Sequence, residues 1–199
     1  MTQSSRLAQA PRSAALFDEL LVTLIQQGDT RAMERLHKRW NARLARAALR
    51  YTGDPEMARD LAQECWIGLW KGIKRLRDPA QFRSYAFAIL HKRGADHLRG
   101  AIRERAQFAA PLTDGLPAEQ AGPASQSDHV ALQQAFASLP PNQRLAAHLH
   151  FVEGLTLREI AAVQDIAEGT AKSRLFHARR KLKAALSEQS TEPTEGEPV

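Results

Sequence analysis

Apolar residues recur at spacings of three and four along most of this 199-residue chain, the period of helices that bury one face. The first such stretch predicts a helix from Ala14 to Gln27, with Leu16, Leu20, Leu24 and nearby aliphatics facing inward and Gly28 as its stop. Asp29 is placed to cap a second helix in which Met33, Leu36, Trp40, Leu44, Ala47 and Tyr51 share a face. Gly53-Asp54-Pro55 is a stop followed by a start: glycine ends one helix, Asp54 caps the next, and Pro55 suits its first position. A third helix, Glu56 to Arg77, buries Met57, Leu61, Cys65, Leu69, Ile73 and Leu76. Asp78-Pro79-Ala80-Gln81 then caps a fourth, which carries Phe82, Tyr85 and Phe87 ahead of Lys92, Arg93, Arg99, Arg103 and Arg105.

Periodicity dissolves between about Gln107 and Asp128, where Pro, Gly, Ala and Ser dominate and Lys and Arg are absent, the composition of an extended, flexible linker. It resumes with Val130, Leu132, Phe136 and Leu139, and after Pro140-Pro141 with Leu145, Leu149 and Val152. The next stretch, Thr156 to Leu186, opens on a capping box, Thr156 with Glu159. Leu157, Ile160, Ala161 and Val163 form one apolar face before the run breaks at Gln164-Asp165. Asp tolerates the left-handed conformation of a tight corner, and Ile166 can plug it. A second helix starts at Glu168, where a carboxylate is favoured, and turns Ala171, Leu175, Ala178 and Leu182 inward. Its other faces hold Lys172, Arg174, Arg179, Arg180, Lys181 and Lys183. Two helices, a corner and a basic second helix read as a helix-turn-helix; the alternative is an αα-hairpin with a solvated charged face.

The expected fold is therefore all-α, with two small helical domains on a flexible linker. Residues 1–13 are expected to be disordered, 14–105 to form a helical bundle and 106–128 to link. Residues 129–186 are expected to form a four-helix domain holding the helix-turn-helix, and 187–199 a disordered tail.

The net charge of +6 points to a polyanionic partner. All charges after Ser187 are acidic (Glu188, Glu192, Glu195 and Glu197), so the body is more basic than the whole. A single cysteine excludes an intrachain disulfide and a cysteine-cluster metal site, and fits a reducing cytoplasm. Asp18 and Glu19 interrupt the one apolar run near the start, so neither a signal-peptide core nor membrane insertion is expected. Two surfaces admit two readings each. On the third helix Asp60, Gln63, Glu64 and Ile67 accompany Trp66 and Trp70, either a protein-binding face with aromatic anchors or tryptophans completing the core. On the fourth, aromatics beside cations could stack single-stranded bases, or be core and surface respectively. The arginines at 31, 35, 39, 43, 46 and 50 read mainly as an exposed basic face.

In this order the parts resemble a bacterial sigma-70 family sigma factor of the extracytoplasmic-function (ECF) group. Asp60-Leu61-Ala62-Gln63-Glu64 with Trp70 resembles the core-binding segment, and Phe82-Arg83-Ser84-Tyr85-Ala86-Phe87 the promoter-melting segment. Asp96 with Arg99 resembles the end of the −10-reading helix, and Glu168-Gly169-Thr170-Ala171-Lys172-Ser173-Arg174-Leu175 the −35 reader. Gln164-Asp165 stands where the family usually has Leu-Gly. The resemblance implies a non-enzymatic, cofactor-free initiation factor whose partners are the clamp coiled coil of core RNA polymerase, promoter DNA and, as a further candidate, an anti-sigma factor. Asp60, Gln63, Glu64, Trp66, Ile67 and Trp70 would bind polymerase. Phe82, Arg83, Tyr85, Phe87, Lys92, Arg93, Asp96 and Arg99 would handle the −10 element. Glu168, Gly169, Thr170, Lys172, Ser173, Arg174, Phe176, His177, Arg179 and Arg180 would read −35. The rival reading is a helix-turn-helix regulator that binds an operator without polymerase. An enzyme ranks lower, since no metal motif or phosphate-cradling glycine loop is present.

Overall fold

The computed structural model describes residues 4–108 and 133–189, and every regular element among them is helical. The expected linker beyond residue 108, with Val130 and Leu132, and the tail from residue 190 lie outside the described residues. The N-terminal half comprises α1 (Ser4–Gln26), α2 (Thr30–Thr52), α3 (Pro55–Gly72) and α4 (Phe82–Phe108), with short 3-10 turns at Ile73–Arg75 and Pro79–Gln81. The C-terminal half comprises α5 (133–137), α6 (Pro141–Phe151), α7 (Leu157–Gln164) and α8 (Glu168–Gln189).

Local chemistry sets most of the boundaries. The Asp29 carboxylate accepts the amides of Arg31 and Ala32 at the start of α2, and Gly53 ends that helix at φ 77°. Asp54 accepts the Met57 amide with Pro55 in the first turn of α3, and Asp78 accepts the Ala80 amide before α4. The start of the chain departs from expectation. α1 begins at Ser4 rather than near residue 14, consistent with the strong helix formers Leu7, Ala8, Gln9 and Ala10. Its buried face is also rotated: Leu16 and Leu20 point outward, while Leu21, Val22 and Ile25 are buried. Asp18 lies on that buried face because α2 supplies a partner, Arg39 Nε at 2.5 Å.

The N-terminal core gathers around Trp40, fully buried, with the Phe82 ring edge-on at 4.9 Å and Phe87 at 5.7 Å. The inner stripes expected for α2 and α3 are buried, apart from partly covered Met57 and Leu76. Cys65 is buried among them, and burial pushes its thiol up to about 12, so it serves as a small hydrophobe. Gly94 lets α4 approach closely: a Cβ there would stand 2.5 Å from two ring carbons of Tyr51.

The two halves are packed on each other. α2 packs against α6 and α4 against α7, so Leu145, Leu149, Leu155, Ile160 and Val163 join the same apolar cluster as Trp40 and Phe82. A smaller cluster of Ala135, Leu139, Ala147, Ala178 and Leu182 closes the C-terminal helices. The two helical domains are thus in contact in this structure.

Gly94→Ala is expected to lower stability by about 1–2 kcal/mol, because overpacking against the Tyr51 ring outweighs the gain in helix propensity. Thermal unfolding followed by circular dichroism should show a midpoint lower by roughly 5 °C; an unchanged or higher midpoint would refute the close approach.

Candidate functional site

The helix-turn-helix forms from the residues expected. Thr156 Oγ1 accepts the Glu159 amide while Glu159 Oε2 accepts the Thr156 amide at 2.7 Å, the reciprocal capping box. Asp165 turns the corner at φ 50°, ψ 55°, its amide bonded back to α7. Ile166 is partly buried against the core, and Ala171, Leu175, Ala178 and Leu182 are all buried. Gln164 has a definite task at this corner. Its side chain is buried, donates to the Asn142 carbonyl at 2.9 Å and accepts from Arg174 Nη1 at 2.6 Å. Arg174 is consequently half-buried, whereas Glu168, Gly169, Thr170, Lys172, Ser173, Phe176, His177, Arg179 and Arg180 are exposed. Lys181 is tied to the Ser138 carbonyl at 2.8 Å. The exposed face of α8 therefore combines hydroxyl, cationic and aromatic groups, the set that contacts phosphates and base edges in a major groove.

The second surface lies on α3. Asp60, Gln63, Ile67 and Trp70 are exposed, Trp70 by 66% and Ile67 by 54%. The two tryptophans differ. Trp66 is half-buried, its ring 4.5 Å from that of His37 and its Nε1 donating to Asn41 at 3.1 Å, so it lines a groove between α2 and α3. The groove encloses about 760 Å³, with Gln63 and Ile67 along it. Glu64 is half-buried and stands 3.1 Å from His97 of α4. An exposed aromatic, an aliphatic and a rim of amides and carboxylates match the anatomy of a protein interface.

The third surface, on α4, needs correction. Phe82 and Phe87 are 1% and 0% exposed, and both pack on Trp40. They belong to the core and cannot stack on bases, because the side of α4 that meets α2 is the side on which they fall. Tyr85 is half-buried with its hydroxyl against Gly72. Lys92, Arg93, Asp96 and Arg99 are exposed, the last two paired with each other, and they form the accessible charged ridge of this helix. Arg83 is turned away from that ridge. It donates to the Glu153 carbonyl at 3.0 Å and stands 3.5 Å from Glu159 Oε1, so it points into the other half of the molecule. Burial works to raise the Glu159 pKa, but hydrogen bonds from Thr156 and the Arg83 charge outweigh it and hold the carboxyl low.

Arg83 is part of a polar junction that spacing along the chain does not reveal. Arg43 stacks over the Trp40 ring at 4.1 Å and donates to Glu153 Oε2 through Nε, at 3.0 Å, and through Nη2. Tyr51 Oη donates to Asn142 Oδ1 at 3.2 Å, and His91 Nε2 lies at the same distance from that oxygen. Burial first, then the charge of Arg174, lowers the His91 pKa against the opposing bond to Asn142 and the charge of Asp165. Beneath Glu153 sits His148, whose Nε2 is 3.7 Å from Glu153 Oε1 and has no hydrogen bond. Burial, opposed by Glu153 and aided by the charges of Arg50, Arg46 and Arg43, pushes His148 down to about 4. The one hint in the sequence was an acid, Glu153, directly before a helix-breaking glycine in an otherwise apolar turn.

Comparison with known proteins follows the same division. The Sigma-70 region 2 family matches residues 36–104, and the Sigma-70, region 4 family matches residues 129–182. The ECF RNA polymerase sigma factor SigE of Mycolicibacterium smegmatis is 31% identical over 190 residues, covering 92% of this chain and 70% of SigE. The RNA polymerase sigma-H factor of Pseudomonas aeruginosa is 27% identical over 180 residues, covering 85% of this chain and 93% of that protein. Among solved structures, the sigma factor RpoE of Bartonella quintana, in complex with the anti-sigma factor NepR, superposes with a TM-score of 0.67. It is 23% identical, and the match covers 77% of this chain and 96% of RpoE. CnrH, in complex with the cytosolic domain of CnrY, gives 0.59 at 24% identity, over 86% of this chain and 98% of CnrH. Among the described residues no helix is long and apolar enough to cross a membrane.

His148 gives the junction a pH signature. The unfolded chain takes up this proton near the ordinary value of 6.5, the native chain only near 4, so the unfolded state binds more protons in between. The stability that depends on neutral His148 is therefore whole above about 6.5 and is lost as pH falls toward 4, roughly 2 kcal/mol of it by pH 5. Melting midpoints at pH 7 and pH 5 should differ less for His148→Gln than for the wild type; equal differences would count against the assignment.

Proposed function

The chain belongs to the ECF group of the sigma-70 family, and on that premise we propose how its surfaces divide the work of starting transcription. Binding core RNA polymerase and directing it to promoter DNA is the function of the whole chain. Family membership disfavours the rival of an operator-binding regulator that dispenses with polymerase.

Polymerase docks on α3, in this reading, through Trp70 and Ile67 as apolar anchors and Asp60, Gln63 and Glu64 as the polar rim, with Trp66 shaping the groove beside them. The observation that carries it is Trp70, a large aromatic two-thirds exposed on a helix whose opposite face is fully buried. Such anchors concentrate binding energy when a partner desolvates them. α8 enters the −35 major groove. Lys172, Arg174 and His177 donate to base edges or phosphates, while Ser173, Arg179 and Arg180 hold the backbone. Glu168, Gly169 and Thr170 bring the positive end of the helix to the groove, and Phe176 offers an apolar contact. The ridge Lys92, Arg93, Asp96 and Arg99, with Tyr85 at its upstream end, receives the −10 strand once it unwinds; Arg83 joins it when the junction is open.

The regions divide as residues 14–105 for polymerase and −10 contacts and 129–186 for −35 contacts, and their covalent connection through 106–128 makes the second DNA contact effectively intramolecular. No step of bond making is assigned to the chain itself, and it works in the cytoplasm beside the polymerase. An inhibitor of the class seated on the Bartonella RpoE belongs to this reading as a regulator.

Run-off transcription with core polymerase on a promoter library tests it. Trp70→Ala should weaken association with core polymerase by a factor of about 30. Lys172→Ala should reduce initiation from −35-dependent promoters roughly tenfold while leaving core binding intact. Two variants indistinguishable from the wild type in both assays would remove these assignments.

A further inference from the structure

We propose that Gln164 is a positioning residue for promoter binding: it holds the Arg174 guanidinium on one flank of α8 as a phosphate contact. Arg174 then supplies sequence-independent hold on the −35 duplex, and base discrimination falls to its exposed neighbours. The inference rests on the reading of α8 as the −35 helix and gives a residue of α7 a task within it.

The brace has a single polarity. Gln164 is the last residue of α7 and is buried beside the Asp165 corner. Its Nε2 donates to the Asn142 carbonyl at 2.9 Å, and its Oε1 accepts from Arg174 Nη1 at 2.6 Å. A carbonyl only accepts and a guanidinium only donates, so turning the amide over would lose both bonds. Asn142 lies in the first turn of α6, so the bonds tie α6 through α7 to α8. All three residues fall within the stretch matched by the region 4 family. The leucine usual in the family at position 164 would offer Arg174 no acceptor. Were Arg174 to swing away, Gln164 Oε1 would be left unpaired in a site closed to water, which is strongly disfavoured. The guanidinium is therefore fixed.

Position on the helix decides what the fixed group reaches. Arg174 follows buried Ala171 by three residues and precedes buried Ala178 by four, so it borders the inner seam and is half-buried. Lys181, seven residues on and along the same flank, donates to the Ser138 carbonyl at 2.8 Å. These two cations are both fastened to acceptors of the C-terminal helices. Ser173, Phe176 and His177 are exposed on the outward side, and Lys172 on the opposite flank. Lys172 and His177 make no hydrogen bond or ion pair among the described residues. A helix in the major groove turns its outward side to base edges on the groove floor and its flanks to the phosphates of the walls.

The chemistry of the holder suits that task. With Nη1 committed to Gln164, Nε and Nη2 remain as donors for a phosphate oxygen. The amide is neutral, so the charge of Arg174 stays available to the phosphate, whereas a carboxylate at 164 would cancel much of it. A guanidinium already fixed by the protein also loses less freedom when the phosphate arrives.

Holoenzyme assembled from the full chain and core RNA polymerase provides the test. It is titrated with promoter duplexes carrying each single substitution across the −35 element of the strongest run-off promoter, between about 50 and 200 mM salt. Arg174→Ala should weaken every duplex by a similar factor, about five- to tenfold, and keep their order of preference. It should also flatten the log–log salt dependence by about one, and Arg174→Lys, which keeps the charge, should recover that slope. Gln164→Leu should weaken every duplex about threefold, and should add nothing in the Arg174→Ala background, because Gln164 acts through that residue. Lys172→Ala should instead relax preference at one base pair. Thermal melts confirm that each variant is folded.

Loss of preference at a single base pair in Arg174→Ala would make Arg174 a base reader and overturn the proposal. So would a folded Arg174→Ala chain with wild-type affinity and salt slope, the mark of a purely structural strut. A Gln164→Leu effect that persists in the Arg174→Ala background would overturn it as well. Should Lys172→Ala and Arg174→Ala both bind every duplex as the wild type does, the −35 reading of α8 has failed and the brace with it. A Lys172→Ala effect without an Arg174→Ala effect removes the brace alone.

Discussion

Glu153 lies just after α6 with its side chain 3% exposed, and a carboxylate so far from water must have a cation or give up its charge. The neighbouring His148 does not supply one, since burial and three nearby arginines keep it neutral at ordinary pH. The requirement falls on Arg43, which lies on a different helix in the other half of the molecule. Arg43 is in turn fixed by stacking on Trp40, the ring around which Phe82 and Phe87 are arranged. One line of contact thus runs from the centre of the N-terminal core to the loop that enters the helix-turn-helix. Satisfying a single buried charge couples the two halves.

That coupling changes how the basic residues are to be understood. Along α2 the arginines look like one solvated face, yet Arg39 neutralises Asp18 of α1, Arg43 neutralises Glu153, and Arg50 lies over the Phe136 ring at 5.6 Å. They are structural cations that attach α1 on one side and α5 and α6 on the other. Exposed cations remain on α2 as well, at Arg31, Arg35, Lys38 and Arg46, beside those of α8 and of the later turns of α4. Net charge identified a polyanion as partner; which arginines serve it depends on where the chain had already used the others.

Much of the fold was legible because its signals are local. Caps at Asp29, Asp54, Asp78 and Thr156, the glycine stop at Gly53 and the aspartate corner at 165 each act within about four residues, so reading them needs no knowledge of distant partners. The buried stripes of α2, α3 and α8 were legible for a related reason: each is a clean helical period with polar residues on both sides. α1 was misread because it offers two overlapping stripes. Leu16 and Leu20 lose to Leu21, Val22 and Ile25 once Arg39 draws Asp18 inward, and nothing within α1 announces an arginine on α2. Phe82 and Phe87 were ambiguous for the same reason, since aromatics near cations look alike whether they await a base or fill a core.

Spacing and residue type were thus sufficient for the helices, for their ends apart from the start of α1 and the end of α3, for the helix-turn-helix and for the family, all of which follow from interactions within a few residues or from motifs contiguous in the chain. Tertiary structure alone decided which tryptophan is exposed, which aromatics are interior, and that Gln164 braces Arg174 where the family usually has leucine. It alone brought Arg43 to Glu153, 110 positions away. The physical reason is that a buried charge or a shared apolar face has no preferred sequence distance to its partner. Only the closed chain shows which groups, once water is excluded, are left with each other.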